Sequence, residues 1–263
     1  MHTRVRDGMV WLERGVDTDG PVLLLLHGLG ATKEVWLPMM ELLDRSWNGN
    51  WIAPDFSGHG ASAPASMETF GAYASAVANI VNAERPVIVL GHSLGGAVGL
   101  LLSSGMFGLD VRSLHALSVK LAWTIEEASK ARDFSRTSSK FFDSEAEAIS
   151  RYLKVSGLHG SVAPDSMIAR AGIIEEGGRY RLAARPATNA IAGAVSGGLA
   201  RLADKSVFFA TGSEDALATP SSFADLDFCV DVLPGVGHNA HVQDPYAVCN
   251  WFLSSVNAGL EGV

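Results

Sequence analysis

The fold is decided by residues 86–104, Pro86-Val-Ile-Val-Leu-Gly91-His-Ser93-Leu-Gly95-Gly-Ala-Val-Gly-Leu-Leu-Leu-Ser-Ser104. The run Val87–Leu90 is short, apolar and β-branched, as a buried parallel strand is. Leu94–Ser104 is small and apolar, as a tightly packed helix is. The junction therefore reads as strand, tight turn, helix, with Ser93 at the turn. Such a corner holds a hydroxyl above the sheet where it can attack a carbonyl. Glycines two residues either side permit a sharp turn and a close approach of helix to strand. The G-x-S-x-G pattern alone is expected by chance about 0.3 times in a chain this rich in Gly and Ser, so the surrounding sequence has to decide its meaning.

That surrounding sequence alternates strand and helix. Residues 3–14 read as a hairpin turning at Asp7-Gly8. Val22–Leu26 reads as a buried strand, Lys33–Arg45 a helix, Trp51–Pro54 a strand and Phe70–Ala83 a helix. Val111–Val119 follows as a further strand. This βαβ rhythm predicts an α/β fold, with a mainly parallel, doubly wound sheet. The rhythm breaks after Lys120. Thr124-Ile-Glu-Glu127 and Ser144-Glu-Ala-Glu147 are capping-box patterns that open helices, and no convincing buried strand is seen before about residue 190. Residues 121–190 are therefore expected to form a helical cap insertion, with 1–120 and 191–263 as the core. Strands resume at Val207–Ala210 and Phe228–Leu233, and Asp244-Pro245 suits the cap and first turn of a closing helix.

Composition narrows the function. Of 263 residues, 48% are hydrophobic and 18% charged, enough for a sizeable core. The formal net charge of −8 argues against nucleic acid or an anionic membrane surface as partner. Cys229 and Cys249 read as small buried residues of a reducing, cytoplasmic compartment. No apolar signal or membrane segment is apparent near the start.

Ser93 needs a base, and the base needs an acid to orient it. Both must come from loops at the carboxyl ends of strands. Asp215 follows Val207–Ala210, and His238 follows Phe228–Leu233, in the order Ser, Asp, His. Glu214 competes with Asp215 but should point elsewhere, and Asp244 is better explained as a helix cap. His241 reads as a loop or surface residue, His92 as a packed neighbour of the serine, and His27 as structural. His115 and His159 carry no motif. Backbone amides of Leu94, at the helix start, and Leu29, in His27-Gly28-Leu29-Gly30, are the candidate oxyanion donors.

Taken together these residues resemble the α/β-hydrolase fold family, in its small cap-bearing esterase-like branch. The resemblance rests on His27–Gly30, Asp55-Phe-Ser-Gly-His-Gly-Ala-Ser62, Gly91–Gly95, Gly212–Asp215 and Gly237-His238. It implies a catalytic triad of Ser93, His238 and Asp215, amide donors at Leu29 and Leu94, and a cap over the site. A metal at Asp55 and His59 is disfavoured because no further ligand is suitably spaced. Ser93 speaks against the members with an Asp nucleophile.

The expected activity is hydrolysis of a small, apolar carboxylic ester, a lactone or a thioester, through an acyl-enzyme without metal or organic cofactor. Carbon–carbon bond hydrolysis of a β-diketone-like substrate is the alternative on the same triad. A ligand receptor with the hydrolase fold is a third reading. Trp36, Trp123, Phe141, Phe142 and Tyr152 are candidate pocket residues, with core packing as the competing role for each.

Overall fold

A computed structural model describes residues 1–15, 19–121, 123–192, 196–203, 206–223 and 228–261, leaving aside the side chains of 196–197 and 258–261. The chain opens with the expected hairpin, β1 (His2–Arg6) and β2 (Met9–Arg14), turning at Asp7 and Gly8. Both turn residues have positive φ, 49° and 79°, the backbone a type I′ turn demands. There follow β3 (Val22–Leu26), α1 (Leu37–Ser46), β4 (Asn50–Pro54), α2 (Phe70–Ala78), β5 (Val87–His92), α3 (Leu94–Ser103) and β6 (Val111–Leu117). The helix expected from Lys33 begins instead with a 3₁₀ turn, Lys33–Trp36, because Pro38 sits in the first turn of α1.

Between β6 and the next strand of the large sheet lie α4 (Ile125–Ser135), β7 (Phe141–Phe142), α5 (Glu145–Val155), α6 (Met167–Ala171), β8 (Ile173–Glu176), β9 (Arg179–Leu182) and α7 (Ser196–Leu199). Both expected helix starts are present: Thr124 and Glu127 form a reciprocal capping box, and Ser144 accepts from the Glu147 amide. The expectation of a purely helical insertion is corrected. β7, β9 and β8 form a small antiparallel sheet, with β8 and β9 turning at Gly177 and Gly178. The chain closes with β10 (Val207–Gly212), β11 (Val230–Leu233), α8 (Ala240–Gln243) and α9 (Pro245–Glu261).

The large sheet has the order β1-β2-β4-β3-β5-β6-β10-β11. It is parallel from β4 to β11, while β1 and β2 add antiparallel strands at one edge. Both faces are covered. Leu23 and Leu25 of β3, with Ile88 and Leu90 of β5, join the core that includes α1 and α9. The alternate residues Leu24, Leu26, Val87 and Val89 join the core beneath α2 and α3. The two-residue period of a strand thus sends successive side chains of one apolar run into two different cores.

Of the two cysteines, Cys249 is buried in α9 as expected, but Cys229 lies just before β11 and is exposed. The edge strand β11 has water on one side, so its flank need not be apolar. Among the described residues, no helix is long and apolar enough to cross a membrane.

Candidate functional site

The parallel register brings the carboxyl ends of five strands together. Leu26 is level with Gly91, His92 with Leu117, Leu117 with Ala210, and Gly212 with Leu233. Leu29, Ser93, Asp215 and His238 all leave the sheet from that edge within a few residues.

Ser93 sits in a strained corner, with φ 51° and ψ −111°. Its amide donates to Leu117 O at 2.9 Å while its carbonyl accepts from Gly96 and Ala97, so strand pairing and helix start together hold it there. The flanking glycines serve a different need from turning. Neither Gly91 nor Gly95 has positive φ; a Cβ on Gly91 would stand 2.5 Å from Gly95 O, and one on Gly95 would collide with Leu26 O. Side chains at these positions would force α3 off β5 and β3, carrying Ser93 with it.

Ser93 Oγ lies 3.2 Å from His238 Nε2, and His238 Nδ1 lies 3.0 Å from Asp215 Oδ2 and 3.2 Å from Oδ1. The carboxylate neighbour fixes the imidazole with its proton on Nδ1, so that bare Nε2 accepts from the serine hydroxyl. Asp215 is buried. Burial alone would raise its pKa, but hydrogen bonding and charge from His238, with the Ala218 and Leu217 amides, hold the carboxyl well below its usual range. Those two amides reach Oδ1 at 2.9 and 2.8 Å. Glu214 is exposed.

The Leu94 amide lies at the start of α3, where helix amides lack an intrahelical acceptor. The Leu29 amide, in the turn after β3, likewise meets no acceptor among the described residues. His27 shapes this turn: its Nε2 accepts from Phe56 N at 3.0 Å and its Nδ1 faces Gly28 O at 2.8 Å. Burial pushes its pKa down to about 4, so it stays neutral and structural. Asp55 anchors the same turn. It accepts from Lys33 Nζ at 2.7 Å, Lys33 N at 2.8 Å and Ala61 N at 3.0 Å. That leaves Asp55 engaged and His59 turned to Ser57 O, and no three His, Cys, Asp or Glu side chains are grouped for a metal among the described residues.

His92 is the packed neighbour expected. His241 is not a surface residue: it is fully buried in α8, its ring 4.3 Å from that of His92 and 4.6 Å from that of Trp36. Burial, then the nearby histidines, brings its pKa down to about 3.

A cavity of about 430 Å³ opens at Ser93, with Leu29, Phe70, Leu94, Ile191 and Leu217 among its apolar walls. Of the five candidate pocket residues only Trp123 lines it. Phe142 lines a neighbouring cavity, and Phe141 carries the Arg179 guanidinium over its ring. Trp36 and Tyr152 are fully buried core residues that line neither cavity. Among the residues sequence reasoning missed is Asn239. Its side-chain amide donates to Ser156 O at 3.0 Å and Gly157 O at 3.3 Å, joining the His238 loop to the end of α5. Its position next to His238 was the signal available.

A family model described as the alpha/beta hydrolase family matches residues 23–251. Among curated proteins, the chain is 38% identical over 98 residues to the magnesium-chelatase 30 kDa subunit of Rhodobacter capsulatus, covering 35% of this chain and 34% of that one. It is 29% identical over 139 residues to protein phosphatase methylesterase 1 of Bos taurus, covering 50% and 37%. The matches thus span about a third of those relatives' length. Among solved structures, E-2-(acetamidomethylene)succinate hydrolase superposes with a TM-score of 0.78 at 23% identity, covering 97% of this chain and 99% of that one.

Proposed function

Because the chain belongs to the alpha/beta hydrolase family, we propose that it is a serine hydrolase cleaving a carboxylic ester through an acyl-enzyme. The observation that carries this is the continuous line of hydrogen-bonding distances from Ser93 Oγ through His238 to Asp215, opening onto one cavity. In the proposed reaction Ser93 Oγ attacks the ester carbonyl as His238 Nε2 takes its proton. The amides of Leu29 and Leu94 receive the developing oxyanion. His238 returns the proton to the leaving alcohol, then activates water to release the acid. Asp215 keeps the imidazole oriented and stabilises its charged form.

Similarity to a methylesterase supports an ester over a carbon–carbon bond as the target. The apolar walls around Ser93 support an apolar portion of substrate beside it. Residues 121–190 are read as a cap over a core of 1–120 and 191–263. The cytoplasm is the proposed compartment, supported by two cysteines that remain free thiols.

Labelling by a fluorophosphonate probe, read by intact mass, tests the reading. The wild type should gain one adduct and Ser93→Ala none. A folded wild type that resists the probe overturns the proposal.

A further inference from the structure

A second cavity, of about 340 Å³, adjoins the one at Ser93; Leu29 and Val155 line both. The charged part of its lining has one sign. Lys140, Arg151 and Arg185 border it, and among the described residues no Asp or Glu does. They converge from three separate places in the chain: the residue before β7, the middle of α5, and the turn after β9.

Two cations of the small sheet are neutralised. Arg179 pairs with Asp143 at 3.0 Å and Arg181 with Glu176 at 2.7 Å. Lys140, Arg151 and Arg185 form no ion pair among the described residues, although the chain carries a formal net charge of −8. Arg185 is felt by Glu176, but that carboxylate is already held by Arg181. The Lys140 ammonium lies 5.0 Å from the Phe142 ring centroid. Ser138, Ser139 and Asn189 add hydroxyl and amide groups to the same walls. Although all three side chains are exposed, an anion seated in the concavity would be attracted by each of them, and guanidinium forks suit the paired oxygens of a carboxylate or phosphate.

We propose that this cavity is a subsite for an anionic oxyacid group, carboxylate or phosphate, borne by the substrate whose ester lies at Ser93. The proposal rests on the hydrolase reading above. Leu29, whose amide is the proposed oxyanion donor, lines both compartments. The preferred substrate is then an ester with an apolar stretch at Ser93 and a fixed negative charge a few bonds away.

Two p-nitrophenyl esters that differ only at the far end of the acyl chain test it: the valerate, ending in methyl, and the glutarate monoester, ending in carboxylate. In the wild type, kcat/KM for the glutarate ester should exceed that for the valerate by about tenfold, the worth of one charge-assisted hydrogen bond. In Arg151→Gln, and in Lys140→Gln combined with Arg185→Gln, this ratio should fall to about one. A wild-type ratio of one or less, or a ratio that survives both variants, overturns the proposal.

Calorimetric titration of Ser93→Ala with glutarate, and separately with inorganic phosphate, reads the subsite without turnover. Binding that weakens about tenfold on adding Arg151→Gln supports it, and the tighter anion indicates which oxyacid the substrate carries. Absent binding, or equal binding in both proteins, overturns it. If neither ester is turned over, the hydrolase reading fails, and this titration still decides the subsite.

Discussion

The ring of His92 donates from Nε2 to the main-chain carbonyl of His238 at 2.8 Å. The residue before the proposed nucleophile thus holds the backbone of the proposed base, and its ring packs edge-on against that base. The rings lie 4.8 Å apart, and burial, then the charges of His241 and His238, keeps His92 neutral.

His92→Ala should therefore act on the geometry of the base rather than on substrate binding. We expect kcat to fall about 10- to 100-fold, the scale of a misplacement of about 1 Å, with KM little changed. His92→Gln, which keeps a donor, should recover part of the loss. Steady-state kinetics on a neutral ester would show it, and a change confined to KM would contradict it.

Asp215 and Glu214 are adjacent but differently placed. Asp215→Asn should lower kcat by about 10²- to 10⁴-fold, because the amide favours the wrong tautomer of His238. Glu214→Gln, on an exposed side chain, should change it by less than about twofold. The opposite ranking in a side-by-side assay would remove Asp215 from the triad.

The pair between Lys33 and Asp55 is buried, with side-chain exposures of 7% and 0%. Lys33→Met leaves Asp55 with two backbone donors and no countercharge. We expect a loss of about 3–5 kcal/mol in urea unfolding, the usual cost of stranding a buried charge. A loss below about 1 kcal/mol would show that the two amides suffice.

Five buried histidines make the fold acid-sensitive. Burial lowers His27 to about 4 and His59, His115 and His241 to about 3, and pushes His92 well down, from an ordinary 6.5. Below pH 6.5 the unfolded chain takes up protons that the folded chain refuses. Stability is then full above pH 6.5 and lost as pH falls towards 4. Each histidine contributes up to about 1.4 kcal/mol per pH unit in that window. Urea unfolding at a series of pH values should show uptake of several protons; a flat profile between pH 6.5 and 4.5 would contradict the burial of these rings.

Elements buried on both faces were legible in the sequence. Val22–Leu26 is a strand over the residues expected, because an unbroken apolar run between turns leaves little choice. The grouping of the candidate site was also legible, since Ser93, Asp215 and His238 each follow a strand closely and parallel pairing aligns those strand ends. The small sheet was not. β8, Ile-Ile-Glu-Glu, and β9, Arg-Tyr-Arg-Leu, are four-residue strands too polar to read as buried. The signal was there in Gly177-Gly178, whose φ values of 62° and 78° are those of a type I′ hairpin. Pocket walls were the least readable. Trp36 and Tyr152 are as apolar as any lining residue, and only tertiary packing sends them into the core instead.

The Asn239 amide clamps two carbonyls at the end of α5, one residue along the chain from His238. Val155, the last residue of that helix, lines both cavities. The end of α5 therefore joins the loop that carries His238 to the walls of both cavities. The dimensions of both compartments and the placement of the imidazole thus rest on one short seam of the fold.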